Sequence, residues 1–326
     1  MNKYKQNLRY YAGCSIGSLL SFLLCIGVET EEIVMRFIGD GFFDMAELSP
    51  ELFNKPITGI FSLNPLKEKL SSICKDHLGI DNPTFQDVFE LTRGRTFICV
   101  STNMKTNRPD FFSRYTTPEH SCIDAICKSC NIPGVFEPIH EYDGVYVDGA
   151  VSEPTCIEEV AKRMKEDGVL AYRNRKGAFP ETHDIVAMYL TRRNYSHVYS
   201  SDYMPVNSSL NMTNPLIAKI EGIFGSYRRK DPDLTISPDM TLEEKLKHMA
   251  AFSRQLYGCF TENANMAHIM KEQLLVQKKY PYKVFLLSLP SFSNMLSATA
   301  EEKTDMYFAG RDVVKYYLEL YNGVSD

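Results

Sequence analysis

Tyr10-Tyr11-Ala12-Gly13-Cys14-Ser15-Ile16-Gly17-Ser18-Leu19-Leu20 is the stretch on which the fold turns. The apolar and aromatic residues from Leu8 to Tyr11 predict a short strand. The apolar run that follows predicts a helix ending at Gly27, a residue suited to the position just past a helix. Between them Gly13-Cys14-Ser15-Ile16-Gly17 matches G-x-S-x-G, a sharp strand-to-helix turn that projects a serine hydroxyl. Such a turn strains the serine backbone, and glycines two residues before and two after keep side chains out of the crossing between strand and helix. A helix that starts at Ser15 also aims its first amides, Ile16 foremost, and the positive end of its dipole at any oxyanion formed there. The same five residues equally suit a glycine-bordered turn whose serine is only structural.

A nucleophilic serine needs a base, and the histidines are poorly placed to be one. His248 and His268 fall in helical patterns, His183 and His197 flank a predicted strand, and none stands in a turn-rich setting after a strand end. Asp148 is the better candidate. In Tyr146-Val147-Asp148-Gly149-Ala150 a strand runs into an acidic residue followed by a glycine that permits close backbone approach. An ordinary Asp-Gly turn has the same sequence.

The rest of the chain sets limits. With 326 residues, 44% hydrophobic and 24% charged, it has the make-up of a globular protein and not of a disordered tail or a membrane bundle. Its 36 basic and 41 acidic residues give a net charge of −5, without a basic block to track a phosphate backbone, so no nucleic-acid partner is expected. Nine cysteines are an odd number and too sparse for a disulfide scaffold, which favours a reducing compartment. Lys3, Lys5 and Arg9 before the apolar run Leu19 to Val28 imitate a signal peptide. That run, however, is followed by Glu29-Thr30-Glu31-Glu32 in place of a cleavage site, and its length is about half of what a bilayer crossing needs. Tyr11-Ala12-Gly13-Cys14 resembles a lipoprotein box but has polar residues before it. A cytoplasmic or membrane-peripheral location is therefore expected. The glycosylation patterns at Asn194, Asn207 and Asn211 read as chance in a Ser/Asn-rich loop.

Strand and helix patterns alternate along the chain. Helices are predicted from Thr30 to Phe37, Asn64 to His77, Thr84 towards Gly94, Thr117 to before Pro133 and Pro154 to Lys165. Strands are predicted at Arg95 to Ser101, Phe111 to Tyr115, Tyr142 to Val147, Ile185 to Thr191 and Tyr282 to Leu289. Helical segments are predicted at Pro215 to Tyr227, Thr241 towards Gln277 and Ala298 to Leu320. This is the pattern of an α/β fold with a mixed or mostly parallel sheet, and the late strand is expected to rejoin that sheet in one domain spanning 1–326, with core motifs in 8–192 and a helical insert and closing elements in 193–326.

Together these residues resemble the patatin-like phospholipase family. Gly13-Cys14-Ser15-Ile16-Gly17-Ser18 is similar to the family's nucleophile elbow, and Asp148-Gly149-Ala150 to its D-G-G/A motif. Lys128-Ser129-Cys130-Asn131-Ile132-Pro133-Gly134-Val135-Phe136 is similar to its A-S-x-A-x-P-x-x-F segment, which packs near the catalytic pair. The resemblance implies a three-layer α/β/α domain with a nucleophile elbow, and a lipid acyl hydrolase working through a Ser-Asp dyad. Ser15 would attack the ester and Asp148 would take its proton. Gly13, Ile16 and Gly17 would form the elbow and oxyanion side, with Gly149, Ala150 and Pro133 as motif residues. It implies a phospholipid or other acyl-ester substrate, and neither cofactor nor metal.

Three departures accompany the resemblance. The family places a glycine-rich oxyanion loop before the elbow, whereas the twelve residues before Gly13 hold no glycine and are fewer than the roughly 20 that a strand, loop and helix need. This opens the alternative of a catalytically impaired lipid-binding or regulatory relative. Gly39-Asp40-Gly41 reads as a plain turn and not as a replacement loop. Lys128 and Asn131 stand where the family segment has small residues, and Glu153 where it often has asparagine. A conventional triad with His183 or His197 is the remaining catalytic alternative. His120, Cys122, Cys127 and Cys130 lie close in sequence, but their spacing falls on a predicted helix with no second pair to complete a zinc site. Phe42-Phe43 and Phe111-Phe112 read as core aromatics, with a transient membrane-surface contact as their other use.

Overall fold

The computed structural model describes residues 8–39, 47–48, 59–169, 185–191 and 282–288, with a few positions between 239 and 249 and residue 311. The elements are β1 (Tyr10–Cys14), α1 (Ile16–Cys25), α2 (Thr30–Gly39), β2 (Glu47–Leu48), β3 (Phe61–Ser62), α3 (Asn64–Leu78), α4 (Phe85–Leu91) and β4 (Thr96–Asn103). After them come β5 (Arg108–Ser113), α5 (Cys122–Ser129), β6 (Ile139–His140), β7 (Val145–Asp148), a 3-10 turn (Gly149–Val151), α6 (Ile157–Glu166), β8 (Ile185–Thr191) and β9 (Tyr282–Ser288). The chain divides into two compact units, Met1–Val160 with Leu234–Asn265, and Ala161–Asp233 with Met266–Asp326.

In the first unit β4 organises a five-stranded mixed sheet. All eight of its residues are buried, so both faces of the sheet are covered, and the architecture is a three-layer α/β/α sandwich. β5 runs antiparallel along one edge of β4, from Ile98 to Asn103. The other edge is shared. β1 runs parallel to its first half, ending with Cys14 opposite Val100, and β7 runs antiparallel to its second half, ending with Asp148 opposite Ser101. The two strands therefore meet end to end on one edge of β4, and the residue after β1 is Ser15. Among the described residues β1 and β4 pair in parallel, and the pairs of β4 with β5, β4 with β7 and β6 with β7 are antiparallel, so the sheet is mixed, one of the two forms expected.

The helices cover β4 with apolar side chains. Leu19, Phe22 and Leu23 of α1 are buried, and Phe22 packs against Phe97 with ring centroids 5.2 Å apart, while Phe85 of α4 stacks on the same ring at 5.6 Å. Burying each such ring is worth about 1.5–3 kcal/mol. Helix ends follow the sequence signals closely. Val28 N–H donates to Leu23 and Gly27 N–H to Leu24, with Gly27 at φ 93°, which is a Schellman ending for α1. Thr84 and Asp87 form a reciprocal capping box at α4, and Thr241 and Glu244 exchange the same bonds.

Several boundaries move for tertiary reasons. β1 extends through Gly13 to the elbow because Ala12 to Cys14 have partners on β4, outweighing weak strand propensity. The helix expected from Thr117 starts at Cys122, capped by Ser121, because the carbonyls of Pro118 and His120 accept the first amides of α4. Tyr142 lies in a turn closed by Glu141 and Gly144, so β7 starts at Val145. In the second unit β8 and β9 pair in parallel, Ile185 with Tyr282 through to Thr191 with Ser288. Among the described residues that ladder is a sheet of its own, whereas the late strand was expected to rejoin the main one. The three glycosylation patterns, Phe42-Phe43, and the helices expected at Pro215 to Tyr227 and Ala298 to Leu320 fall outside the described residues or nearly so.

Candidate active site

Ser15 sits at φ 54°, ψ −132°, a backbone conformation costing a non-glycine residue about 1–3 kcal/mol. It occupies the N-cap position of α1, yet its hydroxyl does not cap the helix. The hydroxyl instead donates to Asp148 Oδ2 at 2.5 Å. The elbow is held from two sides. Ser15 N–H donates to Ser129 Oγ at 2.9 Å, and Ser15 C=O accepts from Ser18 Oγ at 2.6 Å and Ser18 N–H at 2.8 Å.

Close approach explains Gly13. A Cβ there would lie 2.1 Å from the Gly17 carbonyl oxygen, an impossible contact with backbone. Gly17 itself differs from expectation: a Cβ on it would meet nothing within 4 Å, so the crossing of strand and helix demands glycine on the near side only. Ile16 and Gly17 open α1, which presents their end of the helix beside Ser15.

Asp148 is fully buried. Its Oδ1 accepts from Ala150 N–H at 2.9 Å, and the Cys14 thiol lies 4.0 Å from the same oxygen. Its own N–H donates to the Asn131 carbonyl at 2.7 Å. With Oδ1 engaged by the turn that follows, Oδ2 faces Ser15. Gly149 is required by packing, since a Cβ would fall 2.4 Å from Val100 O. The Cys14 thiol is held well above its ordinary pKa, first by burial and then by the adjacent Asp148 carboxylate, so it is a proton-bearing neighbour of the pair.

The segment 128–136 supports both residues. Ser129 reaches the Ser15 amide, Asn131 receives the Asp148 amide, and Pro133 lies in the turn that leads to Phe136, which bridges to Phe61. The Asn131 amide donates to the carbonyls of Glu137 and Tyr146, leaving its buried Oδ1 without a partner among the described residues. Glu153 caps the turn before α6 through Thr155. Ser129 was not singled out by the sequence reading. Its signal was there, one residue inside the A-S-x-A-like stretch, but a serine's long-range partner cannot be read from spacing.

Among the described residues no histidine is hydrogen-bonded to Ser15. His77 meets Glu32 at 3.2 Å and His120 meets Lys128 at 3.1 Å, while His183 and His197 lie outside the described residues. Cys122, Cys127 and Cys130 are buried on or just past α5, with thiols raised by burial, and His120 is turned to Lys128. Phe112 is core, packed between His120 and Tyr146. Among the described residues no helix is long and apolar enough to cross a membrane.

Residues 1–161 match the family model Patatin-like phospholipase, a range that contains the elbow, the Asp148 motif and the supporting segment. The chain is 25% identical over 151 residues to Uncharacterized protein R571 of Acanthamoeba polyphaga mimivirus, covering 44% of this chain and 47% of that protein. It is 27% identical over 171 residues to Probable lipid hydrolase 463L of Invertebrate iridescent virus 6, covering 49% and 58%. Triacylglycerol lipase 4 of Saccharomyces cerevisiae is 22% identical over 199 residues, covering 51% of this chain and 22% of the yeast protein. The matched region thus spans about half the length of the two viral relatives and less of the yeast one. The family match and the α/β/α sandwich with its serine elbow agree over the same residues, and residues 1–161 of this chain belong to the patatin-like phospholipase family.

Proposed function

We propose that this chain is a serine lipid acyl hydrolase, of phospholipase A or acylglycerol esterase type, in which Ser15 is the nucleophile and Asp148 the general base. The observation that carries this reading is the 2.5 Å hydrogen bond from Ser15 Oγ to Asp148 Oδ2 at a strained strand-to-helix elbow. Asp148 accepts the hydroxyl proton as Ser15 Oγ attacks the ester carbonyl. The tetrahedral oxyanion is met by the Ile16 amide at the start of α1, and collapse expels the alcohol, which takes the proton from Asp148. Water then gives a proton to Asp148 and attacks the acyl-serine, releasing the fatty acid and restoring the Ser15 hydroxyl. Besides the ester and water, these steps call on Ser15, Asp148 and the Ile16 amide.

The named relatives support a lipid ester as substrate class, one being a probable lipid hydrolase and one a triacylglycerol lipase. A lipid substrate entails transient contact with a membrane or droplet surface, in keeping with a cytoplasmic or membrane-peripheral protein. The proposal takes 1–326 as one patatin-like domain. Its test is release of p-nitrophenol from a short-chain ester by the wild-type chain and by Ser15→Ala. The expected result is turnover that falls to the uncatalysed background in the variant. Equal rates would overturn the reading and favour a non-catalytic lipid-binding relative, and loss of turnover on substituting His183 or His197 would favour a triad.

A further inference from the structure

Lys128 is a lysine on a buried helix, with its side chain only 1% exposed. An ammonium withdrawn from water is costly unless it is paired and fully hydrogen-bonded, so its partners show what holds it there. Lys128 Nζ donates to Glu141 Oε2 at 2.7 Å and to His120 Nε2 at 3.1 Å. It lies over the Phe112 ring at 4.7 Å and the Tyr146 ring at 4.5 Å from the centroids. Because an ammonium only donates, His120 Nε2 must accept and the imidazole must be neutral.

These partners come from four places: the turn before α5, strand β5, strand β7 and the turn between β6 and β7. The last two belong to the hairpin that ends in Asp148. On its own side, Lys128 precedes Ser129, whose hydroxyl holds the Ser15 amide, and lies three residues before Asn131, whose carbonyl holds the Asp148 amide. Asn131 adds two more ties, its side-chain amide donating to Glu137 and Tyr146 carbonyls. The end of α5 thus touches both members of the pair, and Lys128 is the charge that fastens the β6–β7 hairpin to it.

We infer that Lys128, clamped by Glu141 between Phe112 and Tyr146, is a positioning residue that holds the Asp148 end of the β6–β7 hairpin against α5 and so sets the Ser15–Asp148 geometry. It touches neither the serine nor the aspartate and acts through Ser129, Asn131 and the hairpin. The inference rests on the proposed Ser15–Asp148 reading for its catalytic consequence, but not for its structural one.

Lys128→Met, Glu141→Gln and the double variant separate the two. In each, kcat and KM for p-nitrophenyl butyrate are measured well below the unfolding temperature, together with hydrogen exchange of the peptide spanning residues 145–151. The expected result for Lys128→Met is a kcat lowered about 10- to 100-fold with KM little changed, as a displaced catalytic group gives, and faster exchange at 145–151 but not in α3. Glu141→Gln shifts both readouts in the same direction and less, and the double variant is no worse than Lys128→Met, since the two residues act as one unit. A folded Lys128→Met with wild-type kcat and wild-type exchange, or strictly additive effects in the double variant, overturns the inference. If Lys128→Met does not fold, Glu141→Gln decides alone, and unchanged exchange at 145–151 overturns it. A wild-type chain that turns over no ester while the variants still loosen 145–151 overturns the enzymatic reading and leaves the clamp standing.

Discussion

The elbow at Gly13–Gly17 and the end of α5 at Lys128–Asn131 serve the same pair of side chains by opposite means. The elbow works by removing bulk: Gly13 lets β1 and α1 close to a distance at which a methyl group would sit 2.1 Å from a carbonyl oxygen. The end of α5 works by adding polar groups, since Lys128, Ser129 and Asn131 are all buried and each supplies a hydrogen bond or charge to a neighbouring element. The first device is local and intolerant of any side chain. The second is long-range, and its parts fail singly only to the extent that each leaves another group unpaired.

The sharpest way to break this contrast is Gly13→Ala. The added methyl meets backbone that cannot rotate away, so a stability loss of more than about 3 kcal/mol is expected in urea unfolding, with loss of any Ser15 reactivity. Ser129→Ala tests the other device. It leaves the Ser15 amide without its acceptor, at an expected cost of about 1–3 kcal/mol by the same measurement, and wild-type stability would show that the bond carries nothing.

A pH series probes the charge cluster around Lys128. His120 has its pKa held below the ordinary 6.5, first by burial and then by the Lys128 ammonium, against which Glu141, Asp124 and Asp143 act in the opposite sense. The unfolded chain therefore takes up this proton at higher pH than the folded one, so stability present above about pH 6.5 is lost as the pH falls through the lowered folded value. His120→Gln, which keeps an acceptor for Lys128, is expected to flatten that part of the thermal-midpoint profile, and an unchanged profile would assign the acid loss elsewhere. The smallest effect is expected from Gly17→Ala. With open space around the new methyl and a place in the first turn of a helix, it should leave stability unchanged or raise it by up to about 1 kcal/mol. A large loss there would mean that both glycines of the motif serve packing after all.

Much of the candidate site is legible in the sequence. Ser15 and Asp148 each sit in a short motif whose residues are close in sequence, and Gly27, Thr84 and Asn64-Pro65 mark helix ends through bonds that span only a few residues. What escaped the reading is long-range. Ser129 became important through a bond 114 residues away, and Lys128 reads from sequence as a departure from a small-residue pattern, whereas its role comes from four elements converging on it. The helix expected at Thr117 failed for the same kind of reason, its carbonyls being taken by α4.

The sequence by itself determined the turn, the residue types and the order of elements, because turns and helix caps are set by interactions within a few residues. Only the tertiary structure decided that β1 and β7 end against each other on one edge of β4. The physical reason is that a strand's register depends on which partner it pairs with, and that pairing is what brings residues 133 positions apart within a hydrogen bond.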